Sequence, residues 1–164
     1  MATVLITGCR SGIGLQTALA FGRRGDTVYA TMRDTTLDDR LQRIVERESL
    51  PIVMRHLDVT DGDAIRRTVA EVVDEQGAID VLVNNAGVGF VGAIEELDEA
   101  QARLTWETNF WGPIRLCRAA LPHMRSRGRG VIVNLSTFAA RFPGVHGSRC
   151  MRPPNMRSVR SRSH

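Results

Sequence analysis

Three glycines in one seven-residue segment are the first residues of this chain whose types and spacing suggest chemistry. The first permits a tight turn, the second lets a phosphate approach the backbone, and the third allows the next helix to pack closely. Free N–H groups at the start of that helix, aided by the helix dipole, bind the paired phosphates of a dinucleotide. We therefore predict cofactor contacts for Gly8, Arg10, Ser11, Gly12, Ile13 and Gly14.

The end of the second predicted strand indicates which dinucleotide is bound. A carboxylate at that point binds the ribose 2′-hydroxyl of NAD, whereas an arginine accommodates the 2′-phosphate of NADP. Here the strand ends at Met32, and Arg33 and Asp34 follow it. Arg33 and Arg10 together form a cationic clamp suited to a phosphate, which favours NADP over NAD. The alternative is a surface ion pair between Arg33 and Asp34 that binds no ligand.

Alternating strands and helices must position these residues. We predict strands at residues 3–7, 27–32, 52–57, 79–84 and 130–136, and helices at 12–24, 37–48, 61–76 and 97–127, the last with a break near Gly112-Pro113. The strands are apolar on both faces, as in sheets that helices cover on both sides. The predicted fold is therefore α/β, a Rossmann-like doubly wound parallel sheet truncated to about five strands.

Three further motifs accompany the glycine turn. They are Leu57-Asp58-Val59-Thr60 after the third strand, Asn84-Asn85-Ala86-Gly87 after the fourth, and Asn109 on the long helix. With the spacing Gly-x-x-x-Gly-x-Gly, they resemble the classical short-chain dehydrogenases/reductases. The run 29–34 resembles the hydroxysteroid and retinol dehydrogenase branch of that family. The resemblance covers residues 2 to about 145, which is about the first half of a typical member.

The resemblance implies further cofactor contacts. Asp58 would hydrogen-bond the adenine amino group and Val59 would lie beside the ring. A helix cap is the alternative role for Asp58, although Asp61 is the better candidate for that cap. Asn85, Ala86 and Gly87 would line the cofactor, and Asn84 would mainly tie strands together.

The family's reaction, as the resemblance implies it, is hydride transfer between the nicotinamide cofactor and an alcohol or ketone. Asn109 matches the family asparagine that supports a proton-relay water. Counted from the start of the strand, Thr137 occupies the position of the family's substrate-positioning serine, and Ser136 lies one residue earlier. Adjacent strand side chains point to opposite faces, so only one of the two can face the substrate, and Thr137 is favoured. A hydroxyl that ends the strand by bonding its own backbone is the alternative role for Thr137.

The family's catalytic tyrosine and lysine are missing from these 164 residues. The single tyrosine, Tyr29, is predicted to pack within a strand, and the sequence contains no lysine. We therefore expect this chain to be inactive, because loss of a general acid/base costs about 10²–10⁴-fold in rate. The codons for residues 150–157 could encode a Tyr-x-x-x-Lys motif in the adjacent reading frame. This permits the hypothesis of a frameshift after about Val145.

Charge and composition divide the chain at residue 145. Residues 146–164 contain five arginines and no acid, so residues 1–145 hold 17 arginines against 18 acids. We predict an incomplete cofactor-binding domain at 1–145 and a disordered, solvated arginine-rich tail at 146–164. Basicity confined to that tail argues against a nucleic-acid partner. Free cysteines, no signal peptide and no membrane-length apolar run predict a cytoplasmic protein.

Two other functional classes remain open. The chain could be a non-catalytic dinucleotide-binding module or inactive gene remnant, which would bind cofactor without turnover. It could instead be an interaction protein acting through the tail, which predicts salt-sensitive binding of nucleic acid. A family-type homo-oligomer is doubtful, because the segments that build much of the usual interface are not in the sequence.

Overall fold

The computed structural model describes residues 1–34, 40–89 and 94–136. Its sheet has five parallel strands: β1 (Thr3–Thr7), β2 (Thr27–Met32), β3 (Ile52–His56), β4 (Val81–Asn84) and β5 (Val131–Asn134). Their order across the sheet is β3-β2-β1-β4-β5, so the winding direction changes between β1 and β4. The prediction of a doubly wound parallel sheet is confirmed.

Within these three described ranges, five α-helices connect the strands: α1 (Gly12–Arg23), α2 (Arg40–Glu48), α3 (Gly62–Gln76), α4 (Glu99–Trp106) and α5 (Gly112–Ser126). A short 3₁₀ helix occupies Ile94–Glu96. The start predicted for α2 lies outside the described residues, as does the tail at 146–164. In the described part of the chain, no helix has the length and apolarity needed to cross a bilayer.

The two faces of the sheet are covered by different helices. Alternate residues of β1 point to opposite sides, so Leu5 belongs to one apolar cluster while Val4 and Ile6 belong to the other. The Leu5 cluster contains buried residues of α3 and α5. The other cluster contains those of α1 and α2. Burial on both faces explains why the strands are nearly continuous apolar runs.

The break predicted near Gly112-Pro113 corresponds to an irregularity of the helix that ends at Trp111. Both residues lie inside α5, and the irregularity is a π-helical turn at Glu107–Trp111, between α4 and α5. Proline has no N–H and its ring crowds the carbonyl four residues earlier, here that of Asn109. A π turn widens the helix at that carbonyl, so the chain stays helical instead of breaking.

Candidate functional site

Hydrogen bonds hold the loop after β1 against the loop after β4. The Thr7 hydroxyl oxygen accepts from the backbone N–H groups of Asn85 and Ala86, at 3.1 and 3.0 Å. The Asn85 side-chain amide donates to the carbonyls of Thr7 and Gly8, at 2.7 and 3.0 Å. The two loops meet where the winding changes direction, and ligands of open α/β sheets bind in the crevice at that point.

Gly8 and Gly14 shape the turn between β1 and α1. Gly8 has a φ of +73°, a left-handed conformation that favours glycine. A Cβ on Gly14 would lie closer than 3.0 Å to both the Asn85 side-chain nitrogen and the Gly8 carbonyl oxygen. Gly14 therefore packs the helix start against the turn and the Asn85 side chain, and its contacts are structural.

The start of α1 fits the phosphates of a dinucleotide. Gly12 has a φ of +58°, and a Cβ built there would have no atom of the described chain within 4 Å. Ser11, the N-cap residue, makes no side-chain hydrogen bond to the helix, and the first turn of α1 contains no acidic residue. Among the described residues, no side chain caps these N–H groups, so they are available to an anion.

A cleft of about 590 Å³, called here the first cleft, lies over the two loops. It is lined by Gly8, Arg10, Ser11, Met32, Arg33, Asp34, Leu57, Val59, Asn85, Ala86, Gly87, Val88 and Thr108. The lining contains eight of the twelve residues predicted to contact cofactor. Gly12, Gly14 and Asp58 are not part of it, and Ile13 lines a neighbouring cavity.

Two exposed arginines give the first cleft its positive charge. Arg10 lies in the glycine turn and Arg33 follows the carboxyl end of β2. Within the described part of the chain, neither guanidinium forms an ion pair, and the alternative pair of Arg33 with Asp34 is not formed. Both cations are therefore available to a phosphate group.

Asp58 stabilises the turn that follows β3. Its Oδ1 accepts from the backbone N–H and the hydroxyl of Thr60, at 2.9 and 2.8 Å. The cap of α3 is Asp61, which accepts from the N–H groups of Asp63 and Ala64. Asp58 is thus not the helix cap, and the residues on either side of it, Leu57 and Val59, line the first cleft.

A second cavity, of about 710 Å³, lies on the other side of the loop after β4. It is lined by Ile13, Asn109 and Ser136, among others, whereas Thr137 lies outside the described residues. The Asn109 side chain accepts from the N–H of Val88 at 2.9 Å and donates to the carbonyl of Val88 at 2.7 Å. Its amide therefore ties the π turn to this loop.

Other polar groups near the two cavities have structural roles. Asn84 donates to the Asn134 side chain at 2.7 Å and so links β4 to β5. Cys9, next to the glycine turn, is fully buried, and burial raises the pKa of its thiol to about 12. At neutral pH Cys9 is therefore a protonated, unreactive thiol.

Five lining residues of the first cleft were not among the predicted cofactor contacts: Met32, Asp34, Leu57, Val88 and Thr108. Leu57 begins the motif after β3 and Val88 follows the motif after β4, but both are apolar, and their types alone did not separate them from the core. Thr108 left a clearer signal. Thr108, Gly112, Leu116, Ala120 and Met124 follow at four-residue steps, and all five are buried. The single hydroxyl at the end of this apolar stripe could have been recognised from the sequence as a candidate site residue.

The fold is shared with solved short-chain dehydrogenases. A short-chain dehydrogenase from Streptomyces avermitilis matches with a TM-score of 0.79 and 42% identity, over 86% of this chain and 51% of that one. An actinorhodin polyketide ketoreductase solved with NADPH matches with a TM-score of 0.83 and 32% identity, over 91% and 58%. A metagenomic short-chain oxidoreductase in complex with NADP matches with a TM-score of 0.82 and 31% identity, over 90% of this chain and 67% of that one.

Curated relatives lead to the same family. The 3-ketodihydrosphingosine reductase of Bacteroides thetaiotaomicron is 37% identical over 135 residues, covering 82% of this chain and 46% of the relative. Retinol dehydrogenase 8 of Homo sapiens is 39% identical over 139 residues, covering 82% of this chain and 44% of the relative. The chain thus spans about half the length of these relatives. The short chain dehydrogenase family model matches residues 2–149. The chain belongs to the short-chain dehydrogenase family.

Proposed function

We propose that residues 1–145 form the cofactor-binding part of an NADP-dependent oxidoreductase that acts on an alcohol or ketone. One observation carries the proposal: the start of α1 and two arginines, Arg10 and Arg33, border the same cleft, and no side chain in the described ranges caps the helix or pairs with either arginine. Pyrophosphate fits the helix start, and a separate phosphate fits the guanidinium pair. The relatives named for a ketone and for retinol, and the neighbours solved with NADPH or NADP, support this class of reaction and cofactor.

Each part of the cofactor has a proposed partner. The N–H groups around Gly12 bind the pyrophosphate, and Arg10 and Arg33 bind the ribose 2′-phosphate. Val59 packs against the adenine ring, with Asp58 at its amino group. The backbone of residues 85–87 runs along the ribose and nicotinamide side.

The second cavity is the proposed place of reaction. The bound nicotinamide would supply or accept the hydride. The carbonyl of Asn109, which Pro113 cannot bond for lack of an N–H, is available to hold a relay water. Ser136 lines this cavity, and it or Thr137 would orient the substrate oxygen.

The 164-residue chain itself is proposed to bind cofactor without turnover. Its single tyrosine, Tyr29, is buried in β2, and the tyrosine hydroxyl donates to Glu75 at 2.6 Å. Tyr29 therefore cannot reach a substrate, and no lysine is present to activate a phenol. This favours the second candidate, a non-catalytic dinucleotide-binding module, as the description of the isolated chain.

Calorimetric titration with NADPH and NADH tests the cofactor proposal. We expect NADPH to bind more tightly, and Arg33→Gln to weaken NADPH about tenfold or more while leaving NADH nearly unchanged, because a charge-assisted bond to the 2′-phosphate is lost. Arg103→Gln is the matched control, since Arg103 pairs with Glu99 on the exposed surface of α4. An equal loss for both cofactors, or no binding of either, would contradict the proposal.

A further inference from the structure

Thr108 has a buried hydroxyl with no hydrogen-bond partner among the described residues. Threonine in a helix usually donates to the carbonyl four residues earlier, as Thr105 does to the Gln101 carbonyl at 2.8 Å. Thr108 lies in the π turn and makes no such bond. A buried hydroxyl without a partner is destabilising, so its retention at this position needs a reason.

The position of Thr108 indicates where a partner would come from. Gly112, one turn later on the same buried stripe, contacts the loop after β3, since a Cβ on Gly112 would lie 3.1 Å from the Val59 side chain. Thr108 and Val59 both line the first cleft. The rest of the stripe is apolar, and an apolar side chain at position 108 would leave no polar group without a partner. The hydroxyl of Thr108 lies where the stripe reaches the first cleft.

We propose that Thr108 is a cofactor-binding residue whose hydroxyl hydrogen-bonds the adenine base of the dinucleotide. The inference rests on the proposed function, because it requires a dinucleotide in the first cleft. The Thr108 hydroxyl is buried, so binding involves a rotation about the Cα–Cβ bond that turns it toward the base. Such a rotation is accessible, because helical threonine uses two χ1 rotamers.

Thr108→Val tests this inference, because valine has the shape of threonine without the hydroxyl. Calorimetric titration would use NADPH, adenosine 2′,5′-bisphosphate for the adenine half, and nicotinamide mononucleotide for the other half. We expect T108V to weaken the binding of NADPH and of adenosine 2′,5′-bisphosphate by about three- to tenfold, which is the value of one hydrogen bond. The affinity for nicotinamide mononucleotide should not change. Thr108→Ser should bind as the unaltered chain does, and so should Thr105→Val, the matched control.

Melting of the cofactor-free variants separates binding from a structural role. T108V should melt no lower than the unaltered chain, because no hydrogen bond is lost. Lower melting, unchanged affinity for adenosine 2′,5′-bisphosphate, or equal weakening by T108S would each overturn the role of Thr108. If the unaltered chain binds no NADPH, the proposed function fails and this inference with it. If it binds NADPH and T108V binds equally well, only the inference fails.

Discussion

Gly14 and Asn85 show how single residues shape the candidate site. The Asn85 amide bridges two carbonyls of the glycine turn, and Gly14 leaves the space that this amide occupies. The motif Gly-x-x-x-Gly-x-Gly predicts a phosphate-binding turn and assigns the third glycine to close packing of the helix, but it does not name the packing partner. Only the fold shows that the third packs against Asn85, because that contact joins residues 71 positions apart.

Gly14→Ala should therefore destabilise the chain and weaken cofactor binding together. The added methyl group displaces the Asn85 amide or the Gly8 carbonyl, at a cost of about 3 kcal/mol in the free energy of unfolding. Urea denaturation and an NADPH titration measure the two effects. Gly89→Ala is the matched control, since its Cβ would have no atom of the described chain within 4 Å. Similar stability of G14A and G89A would show that the turn tolerates a side chain.

At the scale of the element, the sequence predicts where a helix begins or ends more reliably than it predicts an irregular turn within a helix. Asp61 was the better candidate for a cap from its position before an apolar-periodic segment, and it caps α3. The π turn was not predicted, because one extra residue in a helix barely changes its apolar periodicity. Its cause is local, at Pro113, but the outcome also depends on packing, since a glycine at position 112 lets α5 lie close to Val59.

The cap of α3 makes stability depend on pH in a defined direction. The hydrogen bonds from the N–H groups of Ala64 and Asp63 lower the pKa of Asp61. A carboxyl group whose pKa is lower in the folded state stabilises the fold above its unfolded pKa, about 3.9, and this contribution is lost as the pH falls through the folded pKa. The stabilisation is therefore complete near neutral pH and decreases in acid.

Asp61→Asn separates the charge from the cap, since asparagine caps helices about as well as aspartate. We expect the melting temperature of the unaltered chain to fall relative to that of D61N when the pH is lowered below about 4. Thermal melts of both proteins across that range are the measurement. Parallel curves would mean that the Asp61 carboxylate does not stabilise the fold through its charge.

At the scale of the whole molecule, the sheet is not equally buried across its width. The strands β1 and β4 are buried at its centre, whereas Val131 and Val133 of β5 are exposed. The sequence predicted the sheet because apolar runs and glycine turns are local signals. It could not predict this difference, since the valines of β4 and β5 look alike in the sequence. Burial is decided by which elements pack on each strand.

A matched pair of substitutions measures the difference. Val83 and Val133 are register partners on β4 and β5, with exposures of 2% and 41%. Val83→Thr should lower the free energy of unfolding by about 1–3 kcal/mol, because it buries a hydroxyl in an apolar cluster. Val133→Thr should change it by less than about 0.5 kcal/mol. Equal effects in urea denaturation would contradict the described packing of β5.

The central claim is that amide groups at the start of α1 bind the pyrophosphate of a dinucleotide. The most direct test is a titration of the ¹⁵N-labelled chain with NADP⁺, followed by the backbone amide signals in NMR spectra. We predict the largest shifts at residues 10–14, with further shifts at Arg33 and at residues 85–88. Saturable binding that leaves residues 10–14 unperturbed, or no binding at all, would contradict the account.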